Sequence, residues 1–265
     1  MAFAIQHKSF EHLEAVSTAD LHKLSTYCRN WRLKPSPGKT EVSCFHLNSR
    51  EANHELKIPF EGTILKQNPL PKYLGITLDR TLTFSKHITN TAQKVKTRNN
   101  IIQKLAGTSW GASASVLRTS ALSLVYSTAE FGAPVWLNSC HTGKLDSQLN
   151  TTMRIVSGTI KSTPTEWLPK LTNIAPPPLR RQHSLLREYN KVLLNDQLPL
   201  HADVQSPATT RLSSRNSPLL LAKKLSEENF TINDAWNSTW SNSGRSSPIF
   251  EDSCREKEFA LPRKA

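Results

Sequence analysis

The chain has 265 residues, 37% of them hydrophobic, and a formal net charge of +13, with a pI near 9.8 and a mean hydropathy of −0.46. That length holds one or two domains and a real core, while the polar average leaves part of the chain too poor in apolar residues to pack. No apolar run is long enough to cross a bilayer and no signal peptide opens the chain, so the expected setting is intracellular and soluble, in nucleus or cytoplasm, without a membrane partner. So positive a charge calls for a polyanion, nucleic acid first, ahead of a generally solvated basic surface.

Met1 to Ile5 is short and apolar, like the end of a buried strand. From Ser9 to Arg32 apolar residues recur every three or four positions (Phe10, Leu13, Val16, Leu21, Leu24, Cys28, Trp31), which predicts an amphipathic helix. Two prolines and Gly38 then break the chain ahead of Lys39 and Thr40, and Val42, Cys44 and Phe45 supply a candidate strand. Ile58-Pro59-Phe60 and Thr63-Ile64-Leu65 read as a hairpin turning at Glu61-Gly62. Tyr73 to Leu78 alternates on a two-residue period and reads as a strand completing a small sheet. Gly75 inside it marks either a close backbone approach or a bulge.

Thr81 to Leu105 is predicted as a helix with Thr83 and Ser85 as candidate caps and a narrow stripe of Ile88, Ala92, Val95, Ile102 and Leu105. Lys86, Lys94, Lys96, Arg98 and Lys104 share its remaining surface. From Thr81 to Tyr126 there is no Asp or Glu at all, and this one-sidedness favours a surface facing phosphates. Ser113 to Phe131 and Thr142 to Ile160 follow as helices, the latter with Leu145, Leu149, Met153 and Val156 on one side. Thr163 to Leu168 reads as a helix start, Pro176 to Pro178 as a stiff spacer, and Leu179 to Leu194 as the last long helix. Beyond His201, Ser, Asn, Pro and Thr dominate, although Trp236 and Trp240 at i and i+4 permit a short helix.

Cys28, Cys44, Cys140 and Cys254 are widely spaced, with no C-x-x-C pair, so neither a zinc module nor a disulfide framework is indicated. The histidines are dispersed, and no G-x-S-x-G, P-loop or H-E-x-x-H occurs. Asp79 and Asp146 are single carboxylates, read as a strand-end cap and a surface helix residue.

The order of these pieces resembles the lower palm and thumb of the reverse transcriptases of jockey-like, non-LTR retrotransposons. Trp31, Leu33, Ser36, Lys39 and Thr40 fit that family's W-x-L-x-x-N-x-x-K-T pattern, with Ser36 in place of its usual Asn. Tyr73 to Asp79 (Y-L-G-I-T-L-D) resembles its primer-grip hairpin, and Pro134 to Trp136, Leu145-Asp146 and Arg154-Ile155 resemble its thumb. The implied fold is α+β, mainly α. A small antiparallel palm sheet remnant in residues 1–80 precedes a thumb-like helical bundle in 81–200, then a loosely ordered tail in 201–265.

The resemblance also implies a role for Lys39 near the nucleotide triphosphate, as an ammonium that offsets charge on the leaving group. The plain alternative is a solvated loop lysine. It implies that Lys72, Tyr73 and Gly75, with Lys86, Lys94, Lys96, Arg98 and Lys104, face an RNA/DNA template-primer duplex. The family's polymerisation uses magnesium held by the aspartates of a Tyr-Ala-Asp-Asp turn, which would stand just before Met1. No cofactor is therefore expected in this chain, and the implied state is a polymerase fragment without its own catalysis. The alternative is a non-catalytic basic helical module that binds duplex nucleic acid through phosphates. A helical adaptor anchored by Trp31, Trp136 and Trp167 ranks last.

Overall fold

The computed structural model describes residues 2–107, 109–205 and 217–242, the side chains of 238–242 excepted. Two compact units divide at Thr172 and Asn173. As the resemblance implied, the fold is α+β and mainly helical.

The first unit opens with α1 (Phe10–Asn30), capped by Ser9, whose side chain accepts from the His12 amide. A 3-10 turn at Pro37–Lys39 follows, then β1 (Glu41–Val42), β2 (Pro59–Phe60), β3 (Thr63–Ile64) and β4 (Lys66–Gln67). β2 and β3 form the expected hairpin. Glu61 and Gly62 both turn through positive φ, +47° and +78°, which is the backbone that lets a two-residue loop follow the right-handed twist of its strands. Cys44, Leu56, Ile58, Phe60 and Leu65 form a small core beneath it, and Phe10 and Leu21 of α1 pack against that core.

Instead of one antiparallel sheet there are three separate two-stranded ladders, and β1 pairs with β4 in parallel. The segment expected as one strand from Tyr73 to Leu78 is itself a hairpin. β5 (Lys72–Tyr73) and β6 (Ile76–Thr77) pair antiparallel. Leu74 and Gly75, at φ +45° and +89°, make the turn between them. The two-residue alternation concealed it because a two-residue turn does not disturb that period. Gly75 is therefore a turn residue, not a bulge.

The helical core is built on α2 (Ser85–Leu105) and α6 (Thr142–Ser157). Ile88, Val95 and Ile102 recur every seven residues on α2 and are fully buried, as are Leu145, Leu149 and Met153 on α6. Two buried polar residues bridge the pair. Asn99 donates to Gln148 O at 3.1 Å, and Thr152 Oγ1 donates to Asn99 Oδ1 at 2.7 Å. Neither expected cap starts α2. Its N-cap is Phe84 in the left-handed region, and Thr83 is instead held by Asp79.

Between these helices, α3 (Ala114–Ser120) passes into a π-helical stretch (Ala121–Tyr126) and then α4 (Ser127–Ala129). The extra residue in that turn rotates the helix. Leu117, Ala121, Val125 and Ala129 stay buried, whereas Val116 and Leu124 are exposed. After Gly132, a short α5 (Ala133–Trp136) buries Trp136. The helix foreseen from Thr163 begins later, as α7 (Leu168–Thr172).

In the second unit, α8 (Pro177–Leu193) starts inside the proline run. Pro177 and Pro178 take the first helical positions, where a missing amide hydrogen costs nothing. It is not the last helix: α9 (His201–Gln205), α10 (Pro218–Glu227) and α11 (Ile232–Asn242) follow and each packs against α8. Ala222 and Leu225 of α10 are buried there, and α11 includes Trp236. Arg181 is buried. Cys254 and the rest of the tail from 243 lie outside the described residues.

Candidate nucleic-acid interface

Along α2 the buried positions cluster on one side, and the cations divide around the remainder. Lys86 and Lys104 stand opposite the buried face, separated by a whole number of turns, roughly 27 Å along the axis at 1.5 Å per residue. Lys94 lies toward one flank and Lys96 toward the other. All four are exposed, and none makes an ion pair with a described residue. Arg98 differs: it is half-buried, and its guanidinium donates to Leu124 O in the π-helical stretch. A π turn leaves carbonyls without their usual partner, and Arg98 satisfies one of them.

Charge is partitioned along the chain. The described residues of the second unit set Arg180, Arg181, Arg187, Lys191, Lys223 and Lys224 against Glu188, Asp196, Asp203, Glu227, Glu228 and Asp234. Glu188 pairs with Lys191 at 3.0 Å and with Arg187 at 3.4 Å. Most of the basic excess sits in residues 1–172, where α2 and its neighbours contribute no carboxylate between Thr81 and Tyr126.

The β5–β6 hairpin stands beside the start of α2. Thr77 N donates to His87 Nδ1 at 3.3 Å. His87 is buried, and burial first, then the nearby charge of Lys94, depress its pKa, so the ring is neutral and carries its proton on Nε2. Asp79, just past β6, receives Thr83 N at 3.0 Å, Phe84 N at 2.5 Å and both Thr81 Oγ1 and Thr83 Oγ1. Partial burial raises its pKa, but those bonds outweigh it and hold the carboxyl below its ordinary value. The reading of Asp79 as a strand-end cap describes this geometry. Lys72, Tyr73 and Leu74 project from the hairpin, and Leu74 is 76% exposed.

Lys39 ends the 3-10 turn and is exposed. Pro37 of the same turn, with Ser25, Arg29, Leu33, Lys34, Pro35 and Glu61, lines a shallow cleft in which Ser25 Oγ donates to Glu61; Lys39 itself is not part of that lining. Among the described residues no three His, Cys, Asp or Glu side chains gather to hold a metal ion. No helix among the described residues is long and apolar enough to cross a membrane. Trp136 is spent on the core and Trp167 is half-buried, which leaves Trp31, 66% exposed, as the adaptor reading's presented anchor.

Sequence reasoning missed His87, Phe131 and Trp136 as parts of this corner. The available signals were the adjacency of His87 to Ile88 on the buried stripe and of Phe131 to Gly132.

Compared with known proteins, the chain is 36% identical over 117 residues to a probable RNA-directed DNA polymerase from transposon BS of Drosophila melanogaster, covering 44% of this chain and 12% of that protein. It is 28% identical over 145 residues to a probable RNA-directed DNA polymerase from transposon X-element of the same organism, covering 52% and 15%. It is also 34% identical over 93 residues to the RNA-directed DNA polymerase from mobile element jockey, again of D. melanogaster, covering 34% and 9%. Its curated relatives are reverse transcriptases of non-LTR mobile elements. The jockey-like resemblance is borne out at modest identity over part of the chain, and the matched segment spans a small fraction of each relative's length. No family model matches the chain. No solved structure matches it.

Proposed function

We propose that this chain is a palm-and-thumb piece of a non-LTR reverse transcriptase that holds an RNA/DNA template-primer duplex by its phosphates and performs no nucleotidyl transfer by itself. One observation carries this reading: the exposed, unpaired lysines of α2 lie in a stretch free of Asp and Glu, in the unit that holds most of the basic excess. Ammonium groups on a rigid helix track a phosphate backbone without reading bases. Lys86, Lys94, Lys96 and Lys104 make those contacts, Lys72 and Tyr73 add to them from the hairpin, and Arg98 supports the surface from behind.

Lys39, exposed and apart from this surface, has a vestigial role at most. The relatives' printed activity supports nucleic acid as the ligand. The proposed place of action is the nucleus or cytoplasm. The test is duplex binding followed across a salt titration, with a magnesium-dependent primer-extension assay alongside. Steeply salt-sensitive binding and no extension are expected.

A further inference from the structure

The hairpin and the α4–α5 corner are keyed into one another by two glycines. A Cβ at Gly75 would lie 3.0 Å from Phe131 Cε1, so the Phe131 ring packs directly on the backbone of the hairpin turn. In return, a Cβ at Gly132 would lie 2.6 Å from Ile76 Cδ1, so the Ile76 side chain packs directly on the backbone of the corner. Both glycines turn through positive φ, +89° and +64°. Behind them, Trp136 Nε1 donates to Phe131 O at 3.0 Å, and the indole lies 6.2 Å from the His87 ring that receives Thr77 N. The hairpin is held on one side by α2 and on the other by the α4–α5 corner.

Resting on the nucleic-acid reading above, we infer that Phe131 is a positioning residue that fixes the Lys72–Tyr73 hairpin relative to the α2 lysines, so that hairpin and helix bind the duplex as one surface. A two-stranded hairpin of this length does not hold its own orientation in water. Its tip contributes to binding only if something else sets its angle, and Phe131 packs on the turn itself, beyond the Thr77–His87 hydrogen bond and the seat of Ile76 on Gly132. Phe131 is half-exposed, and its contact is confined to one face of the hairpin, so it differs from the buried residues that hold the unit together.

The test is a double-mutant cycle on the full chain. Affinity for a blunt RNA–DNA hybrid is measured for the wild type, Tyr73→Ala, Phe131→Ala and the double variant. Each single variant is expected to weaken binding by about fivefold, what the loss of one hydrogen bond from the Tyr73 hydroxyl to a phosphate costs. The double variant should bind no more weakly than either single, because each removes the same tip contribution. The salt slope should become shallower by about 1 in Phe131→Ala, which releases the Lys72 contact, as it should in Lys86→Ala, which removes a phosphate contact directly.

Wild-type affinity in Phe131→Ala, or independent losses that multiply in the double variant, would overturn the inference and leave the nucleic-acid reading standing. Should Phe131→Ala not fold, or should the wild type bind no duplex, amide exchange in Phe131→Leu reads the coupling directly. Thr77 N–H is expected to exchange faster while the amides of α2 and α6 keep their protection. An unchanged Thr77 rate would refute the positioning role whatever the outcome with duplex.

Discussion

Phe131 lies against Gly75 so closely that a single added carbon at Gly75 would meet the ring at 3.0 Å. The chain thereby joins a hairpin near residue 75 to a corner that it reaches only after two further helices. Gly75→Ala should lower stability by about 1–3 kcal/mol, through left-handed strain at φ +89° and crowding of the ring. The midpoint of urea unfolding, with the slope held constant, measures this. An unshifted midpoint would mean that the ring is free to move away.

Trp136 ties the same corner to the core. It is 1% exposed, and its indole N–H satisfies Phe131 O. Trp136→Ala is expected to cost about 3–5 kcal/mol, in the range for large buried aromatics. Trp136→Phe should cost less, since it keeps most of the packing and loses mainly the hydrogen bond. Thermal unfolding of the two variants gives the order.

Asn99 and Thr152 form the polar bridge between α2 and α6. Asn99→Ala leaves the Gln148 carbonyl and the Thr152 hydroxyl without that partner in a buried site, at a cost of about 1–3 kcal/mol. A chemical-denaturation series with Asn99→Ala, Thr152→Ala and both should show coupling, because the two side chains share one hydrogen bond. Strict additivity would count against it.

His87 gives stability a pH dependence. Its folded-state pKa is depressed below the ordinary 6.5 by burial and then by Lys94, so the unfolded chain takes up this proton first as pH falls. Its contribution is complete above pH 6.5 and diminishes as pH drops below that value toward the folded-state pKa. Protonation would also turn Nδ1 from acceptor to donor and eject Thr77 N–H. Urea midpoints between pH 7.5 and 5.5 should fall in the wild type and fall less in His87→Asn. Asp79 acts in a lower window. Its folded pKa is below 3.8, so its stabilisation is present above that value and lost as pH falls through the folded pKa.

The long helices were legible because burial repeats at helical spacing. Leu145, Leu149, Met153 and Val156 are buried as their positions in the sequence require. The hairpin at Glu61-Gly62 was legible because its turn residues interrupt two apolar runs. The hairpin at Leu74-Gly75 was not, because leucine seldom occupies a left-handed position and the alternation ran through it unbroken. Arg98 was assigned to the phosphate surface on charge alone. Its guanidinium also donates to Leu124 O in the π-helical stretch, a contact that no residue pattern announces. The basic character of α2 was legible in full from the absence of Asp and Glu, and the corner behind it was not, since a contact between Gly75 and Phe131 leaves no local trace.

The account rests on phosphate contacts from α2, and a salt titration of duplex affinity tests them most directly. If Lys86, Lys94, Lys96 and Lys104 each neutralise one phosphate, log affinity should fall against log salt with a slope of about −3 to −4, nearly the same for unrelated sequences. Substituting Lys86 and Lys104 together by Ala should make that slope shallower by about 2. Affinity that ignores salt, or no measurable affinity at low salt, would contradict the claim.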